Sequence, residues 1–113
     1  MSVLVQAEIH GLVGRAAELT EVLLEHAARM GQADGCLMSR ASAPLDAEPG
    51  EYALDTLWRD EAAMRAHYET TEYGRYISRI GELLSRPSDV EIHYIERSVH
   101  AAADLSLDPA RQG

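Results

Sequence analysis

Residues 53 to 76, ALDTLWRDEAAMRAHYETTEYGRY, concentrate the side chains of this chain best suited to handling a small molecule. They hold its only Trp, Trp58, the imidazole of His67, and three of its five tyrosines, Tyr68, Tyr73 and Tyr76. An imidazole titrates near neutrality and can exchange a proton at physiological pH, while an indole offers a flat apolar face and one N–H donor. Each residue also has a purely structural reading. Trp58 can pack in a core or an interface, and His67 can be a helix-end histidine bonded to a backbone carbonyl. Tyr73 and Tyr76 can be core residues whose hydroxyls need partners.

The local pattern says how these groups are positioned. Tyr52, Leu54, Thr56 and Trp58 alternate with the period of a half-buried strand, and Asp60 is a good N-cap for the helix begun by Glu61 and two alanines. Trp58 and His67 then come from adjoining elements that can face one cavity. The run Glu69-Thr70-Thr71-Glu72 supplies a second cap and acidic first-turn residues. After it Tyr73, Tyr76, Ile77, Ile80, Leu83 and Leu84 recur at helical spacing.

Upstream, residues 3 to 10 read as a strand closed by Gly11 and Gly14, and the apolar positions Ala16, Leu19, Val22, Leu23, Ala27 and Met30 predict a long helix ending near Gly31. Residues 36 to 43 and 52 to 58 read as strands flanking the loop PLDAEPG, and a last strand follows Arg86-Pro87-Ser88 through Val90, Ile92 and Tyr94. The order β-α-β-β-α-α-β is a split βαβ, or ferredoxin-like, α+β unit with one antiparallel sheet, helices on one face and its second helix broken. Apolar residues on both faces of the strands, Val3, Leu4, Val5, Leu54, Leu57, Ile92 and Ile95, leave one face needing a cover. A homodimer with its sheets face to face is the expected solution. Residues 1–98 form the domain; 99–113 are expected to be a tail, either flexible or packed on the partner subunit.

With 113 residues the chain has room for one core, and no apolar run nears the roughly 20 residues that span a bilayer. The opening MSVLVQAEIHG lacks the basic and apolar regions of a signal peptide, so a cytoplasmic location is expected. A net charge of −9 with scattered basic residues argues against nucleic acid and anionic membrane as partners. The single cysteine, Cys36, excludes an internal disulfide and reads as a small buried apolar residue. His10, His26, His93 and His100 come from separate elements without HxH or HExxH spacing, so no metal site is expected. Glu18, Glu21 and Glu25 read as a solvated helix face. Asp55 is unusual inside a strand and reads as an edge or solvent position, a partner for Arg40 across the sheet, or a buried second base.

Taken with this element order, the opening VQAEI, the Asp34-Gly35-Cys36 turn and above all LWRDEAAMRAHYETTEY at residues 57 to 73 resemble the antibiotic biosynthesis monooxygenase family of small dimeric α+β barrels. The resemblance spans about residues 3 to 98. It implies that Trp58 and His67 line a pocket between sheet and helices and carry the chemistry, with Tyr73, Tyr76 and Arg40 as further candidates for binding a phenolate. The activity implied is oxidation of a small aromatic phenol, quinol or polyketide by dioxygen with no bound cofactor. The substrate is deprotonated, His67 serves as base, and the anion gives an electron to dioxygen. The same pocket would also suit a polyketide cyclase or isomerase, and the fold also serves non-catalytic dimeric binding modules. The sequence departs from the family in having no Asn, which polyketide-oxidising and heme-degrading relatives both use. Ile77 also stands where the heme-degrading branch has its ligand His, so heme degradation is not expected.

Overall fold

The structure, a computed structural model, describes residues 1–101. Its elements are β1 (Ser2–His10), α1 (Ala16–Gly31), β2 (Cys36–Ser42), β3 (Glu51–Trp58), α2 (Glu61–Tyr68), α3 (Thr71–Gly81) and β4 (Asp89–Ile95). This is the expected α+β order, with the second helix broken at Glu69-Thr70. Most of the expected tail, from residue 102 on, lies outside the described residues. No described helix is long and apolar enough to cross a membrane.

The four strands form one antiparallel sheet in the order β2-β3-β1-β4. Directly opposed residues share a face, so the register of Val3 with Trp58, Val5 with Thr56 and Ala7 with Leu54 places all six side chains on one side of the sheet. That side meets the helices. One core cluster joins Ile9 and Leu54 to Leu19, Val22, Leu23, Ala27 and Met30 of α1 and to Ile80 and Leu83. A second joins Val3, Val5 and Trp58 to Ala63 and Met64 of α2.

The break between α2 and α3 is built by two side-chain caps. Asp60 Oδ1 accepts from the Ala63 N–H at 2.8 Å, and Thr70 Oγ1 accepts from the Tyr73 N–H at 3.2 Å. Gly35 fixes where α2 begins. Its φ of 81° lies in the left-handed region, and a methyl there would run into the Ala63 side chain. The Arg59 N–H donates to the Gly35 carbonyl at 2.8 Å, so the turn before β2 docks against the strand end that carries Trp58.

The far end of the sheet is tied differently. His10, buried at 3% exposure, meets Glu51 Oε2 through Nδ1 at 2.5 Å and Asp89 Oδ2 through Nε2 at 2.8 Å. One ring thus links the last residue of β1 to the first residues of β3 and β4. The Ser85 N–H donates to the His10 carbonyl and the Leu12 N–H to that of Leu83, each at 2.8 Å, which brings the segment after α3 onto the same corner.

Candidate functional site

Two of the spaces beside the helices share a wall. The first is a cavity of about 540 Å³ between the inner sheet face and α3, with aliphatic walls from Val5, Ile9, Leu54, Ile80 and Ile92. Its polar groups are few: Thr56, His26, Ser88 and the phenols of Tyr68, Tyr73 and Tyr76. The second is a groove of about 760 Å³ between α1 and the α2–α3 junction, edged by Glu25, Arg29, His67, Glu72, Arg75 and Arg79. His26 and Tyr76 border both spaces. Their rings lie flat on each other, with centroids 3.5 Å apart and planes 4° from parallel, and so form a shared wall.

Four more aromatic rings cluster with this wall: His67, Trp58, Tyr68 and Tyr73. His67 lies 6.0 Å from His26, 5.1 Å from Trp58 and 5.6 Å from Tyr73, centroid to centroid. The Nε2 atoms of His26 and His67 are both buried without a hydrogen-bond partner. An unsatisfied buried nitrogen costs about 1–3 kcal/mol, so each is a place where a ligand's polar atom would be welcome. Burial pushes the His26 pKa down to about 4, with further lowering from His67 and the Arg29 guanidinium. Burial lowers His67 as well. Both rings are therefore neutral at pH 7. Burial likewise raises the phenols: Tyr68 is pushed up to about 12, and Tyr73 and Tyr76 also lie above the ordinary value.

The residues singled out by sequence fall in different places. Tyr73 and Tyr76 line the cavity. His67 borders the groove and does not line the cavity. Trp58 is wholly buried and lines neither space; its indole N–H donates to Thr56 Oγ1 at 3.0 Å, and Thr56 is the residue that reaches the cavity. Trp58 thus positions Thr56 rather than presenting a face for a ligand to stack on. Arg40 is exposed and opposes Asp55, on the sheet face away from the cavity. Burial raises the Asp55 carboxyl and Arg40 pulls it back down, so Asp55 is the cross-sheet neighbour of Arg40 and takes no part in the cavity.

Sequence reasoning missed His26, Thr56 and Tyr68 as wall residues. A signal existed for His26, which stands four residues after Val22 and four before Met30 and so continues the buried stripe of α1. At the clamp, Glu8, His10 and Asp89 each bring a donor atom within 4.8 Å of the others. Both nitrogens of His10 are already engaged by carboxylates, and the ring ties the ends of β1, β3 and β4 together.

The family model for antibiotic biosynthesis monooxygenase matches residues 2–79, which run from β1 into α3 and include His26, Thr56, His67, Tyr68, Tyr73 and Tyr76. The chain belongs to the antibiotic biosynthesis monooxygenase family. Among solved structures it is similar to a Deinococcus radiodurans protein described as an antibiotic biosynthesis monooxygenase, with 21% identity, a TM-score of 0.83, and coverage of 89% of this chain and 99% of that one. It is similar to the Mycobacterium tuberculosis protein Rv0793 at 24% identity and a TM-score of 0.79, covering 87% and 98% of the two chains. A third likeness is to an Asn-to-Ala variant of SnoaB, a cofactor-independent oxygenase from Streptomyces nogalater, at 16% identity and a TM-score of 0.74, covering 86% and 95%. At these identities the structural likenesses establish the fold. No curated protein matches the chain.

Proposed function

We propose that this member of the family is a monooxygenase that oxidises a small aromatic phenol, quinol or polyketide ring with dioxygen, without a bound cofactor. The observation that carries this reading is the cavity of about 540 Å³, walled by aliphatic side chains and three tyrosines with a neutral imidazole at its edge. Such a space takes a flat, mostly apolar ring and offers it a few oriented polar groups. A water-poor cavity also limits proton exchange between the bound anion and solvent.

In this reading an imidazole takes the proton of the substrate, leaving an electron-rich anion. The anion passes one electron to dioxygen, and the substrate radical and superoxide combine through a new C–O bond. The resulting peroxide anion takes up a proton, and the hydroperoxide so formed loses water, with the hydrogen left on that ring carbon, as the carbon becomes a carbonyl. One oxygen atom enters the product, the other leaves as water, and the substrate gives up all the electrons required.

The working unit in this proposal is a homodimer, since Leu4, Met38, Leu57 and Ile95 lie half-buried on the sheet face that no helix covers. Light scattering on the purified protein tests that point.

The activity is tested by incubating the protein with a panel of hydroquinones and anthrones, in air and without oxygen, following oxygen uptake and product mass. The expected product gains one oxygen atom and loses two hydrogen atoms, and forms only in air. Turnover at unchanged mass in both atmospheres would replace this reading with a cyclase or isomerase using the same base. Binding without turnover would replace it with a binding module.

A further inference from the structure

The apolar cavity and the polar groove touch along the stacked rings of His26 and Tyr76, and His26 is the only imidazole that borders the cavity. Its side chain is 7% exposed, and its Nε2 has no partner in the protein. The residue lies on the buried stripe of α1, where an apolar side chain would pack without leaving a nitrogen unsatisfied. Packing alone gives no reason for an imidazole there. A ligand hydroxyl in the cavity does give one.

Imidazole is the one common side chain that can gain a proton on one nitrogen and lose a proton from the other. A proton taken from the substrate needs a place away from the aliphatic walls until the peroxide takes one up, because a charge trapped among them is costly. The groove supplies the exit. It holds His67, 6.0 Å from His26 between ring centroids, together with the carboxylates of Glu25 and Glu72. Tyr76 stacks on His26 and holds its ring between the two spaces.

We propose that His26 is the catalytic residue that takes the proton from the hydroxyl of an aromatic substrate bound in the cavity, and that His67 is a positioning residue that passes this proton on to the groove. The inference rests on the monooxygenase reading for the fate of the anion, though the contact itself does not depend on it. In the step, the substrate O–H bond breaks and its electron pair stays on oxygen as phenolate. An N–H bond forms on His26, and the other ring nitrogen then releases its proton on the groove side. His26 is neutral in the empty site, and the phenolate formed beside it stabilises the imidazolium against desolvation.

The test has two arms. In the first, ¹⁵N-labelled protein is titrated without oxygen with 1-naphthol, and the imidazole resonances are followed, with those of His26 and His67 assigned from His26→Gln and His67→Gln. The proposal expects the His26 nitrogens to move in step with the ligand's own signals. A His26 resonance that stays still while naphthol binds, or no binding of naphthol at all, overturns it. In the second arm, oxygen uptake with 1,4-naphthohydroquinone is measured for the wild type and both variants, with circular dichroism confirming that each is folded. His26→Gln should lower kcat about a hundredfold or more with little change in KM, and His67→Gln should have a smaller effect. A kcat within about threefold of wild type in folded His26→Gln overturns the assignment while leaving the monooxygenase intact. If the wild type takes up no oxygen with any quinol, the monooxygenase reading fails, and the titration alone decides the His26 contact.

Discussion

His10 at the end of β1 and His26 in the middle of α1 are buried to nearly the same depth, at 3% and 7% exposure, and have their pKa values shifted in opposite directions. His10 has a carboxylate at each ring nitrogen, so hydrogen bonds that the ring donates to Asp89 and then Glu51 raise its pKa in spite of burial. His26 has no such partner, so desolvation dominates and pushes it down to about 4. Burial by itself therefore does not set the charge of an imidazole here; the groups within hydrogen-bond reach do. The ring with the raised pKa joins three strands and has both nitrogens engaged, whereas His26, which borders the cavity, keeps a buried Nε2 without a partner. Structure is built at one and chemistry is left open at the other.

The largest effect expected from this contrast is on the pH dependence of stability. The folded pKa of His26 lies below the unfolded value of 6.5, so between about 4 and 6.5 the unfolded chain binds more protons at this site and stability falls as pH falls. The loss approaches roughly 3 kcal/mol near the bottom of that window. The groups facing the ring are Glu25 and Arg29 on its own helix, His67 on α2, and Tyr73 and Tyr76 on α3. Replacing His26 with Leu removes the titrating group and keeps the apolar contacts. Urea unfolding at pH 4.5 and pH 7 should then show a smaller pH penalty in His26→Leu than in wild type. An equal penalty in both proteins would mean that His26 is not held neutral and would remove one side of the contrast.

His10 should respond with the opposite sign. Its folded pKa is raised above 6.5, so its stabilisation is complete below about pH 6.5 and is lost as pH rises through the folded value. Asp89 and Glu51 both reach solvent, and Arg86 and Glu8 stand nearby, so screening limits the effect to about 1 kcal/mol. Thermal melting of His10→Gln against wild type should show a gap at pH 6 that narrows by pH 9. A gap that widens with pH would show that the ring is clamped as a neutral donor.

Much of the fold was legible because its signals are local. Alternation in residues 52 to 58, the caps at Asp60 and Thr70, and the stripe from Leu19 to Met30 each depend on neighbours a few positions away, and each element forms where they place it. The cavity depends instead on a gap between α3 and the sheet, which no local pattern records. Arg40 shows how register decides. Counting alternate residues from Cys36, which opposes Trp58, puts Arg40 on the inner face; the irregularity between Cys36 and Met38 shifts the strand and turns Arg40 outward opposite Asp55. Trp58 and His67 do come together, 5.1 Å apart, but the indole donor is spent on Thr56 two residues earlier, a contact that an inward pair on one strand allows and sequence alone does not select.

The smallest expected effect sharpens the contrast by asking whether the two ends are independent. Thr70 joins the helices of the cavity side twice: its Oγ1 accepts from the Tyr73 N–H at 3.2 Å, and its hydroxyl donates to the His67 carbonyl at 2.7 Å. Thr70→Ala should cost about 1 kcal/mol through loss of the cap. Because Thr70 holds the junction between α2 and α3, the imidazole resonances of His67 and His26 should shift with it. His10 is held by Glu51 and Asp89 at the opposite corner and shares no partner with Thr70, so its resonances should stay in place. If His10 moves as far as His67, strain at the helix junction is reaching the clamp through the sheet. The His10 end would then be a support that sets the geometry of the His26 end.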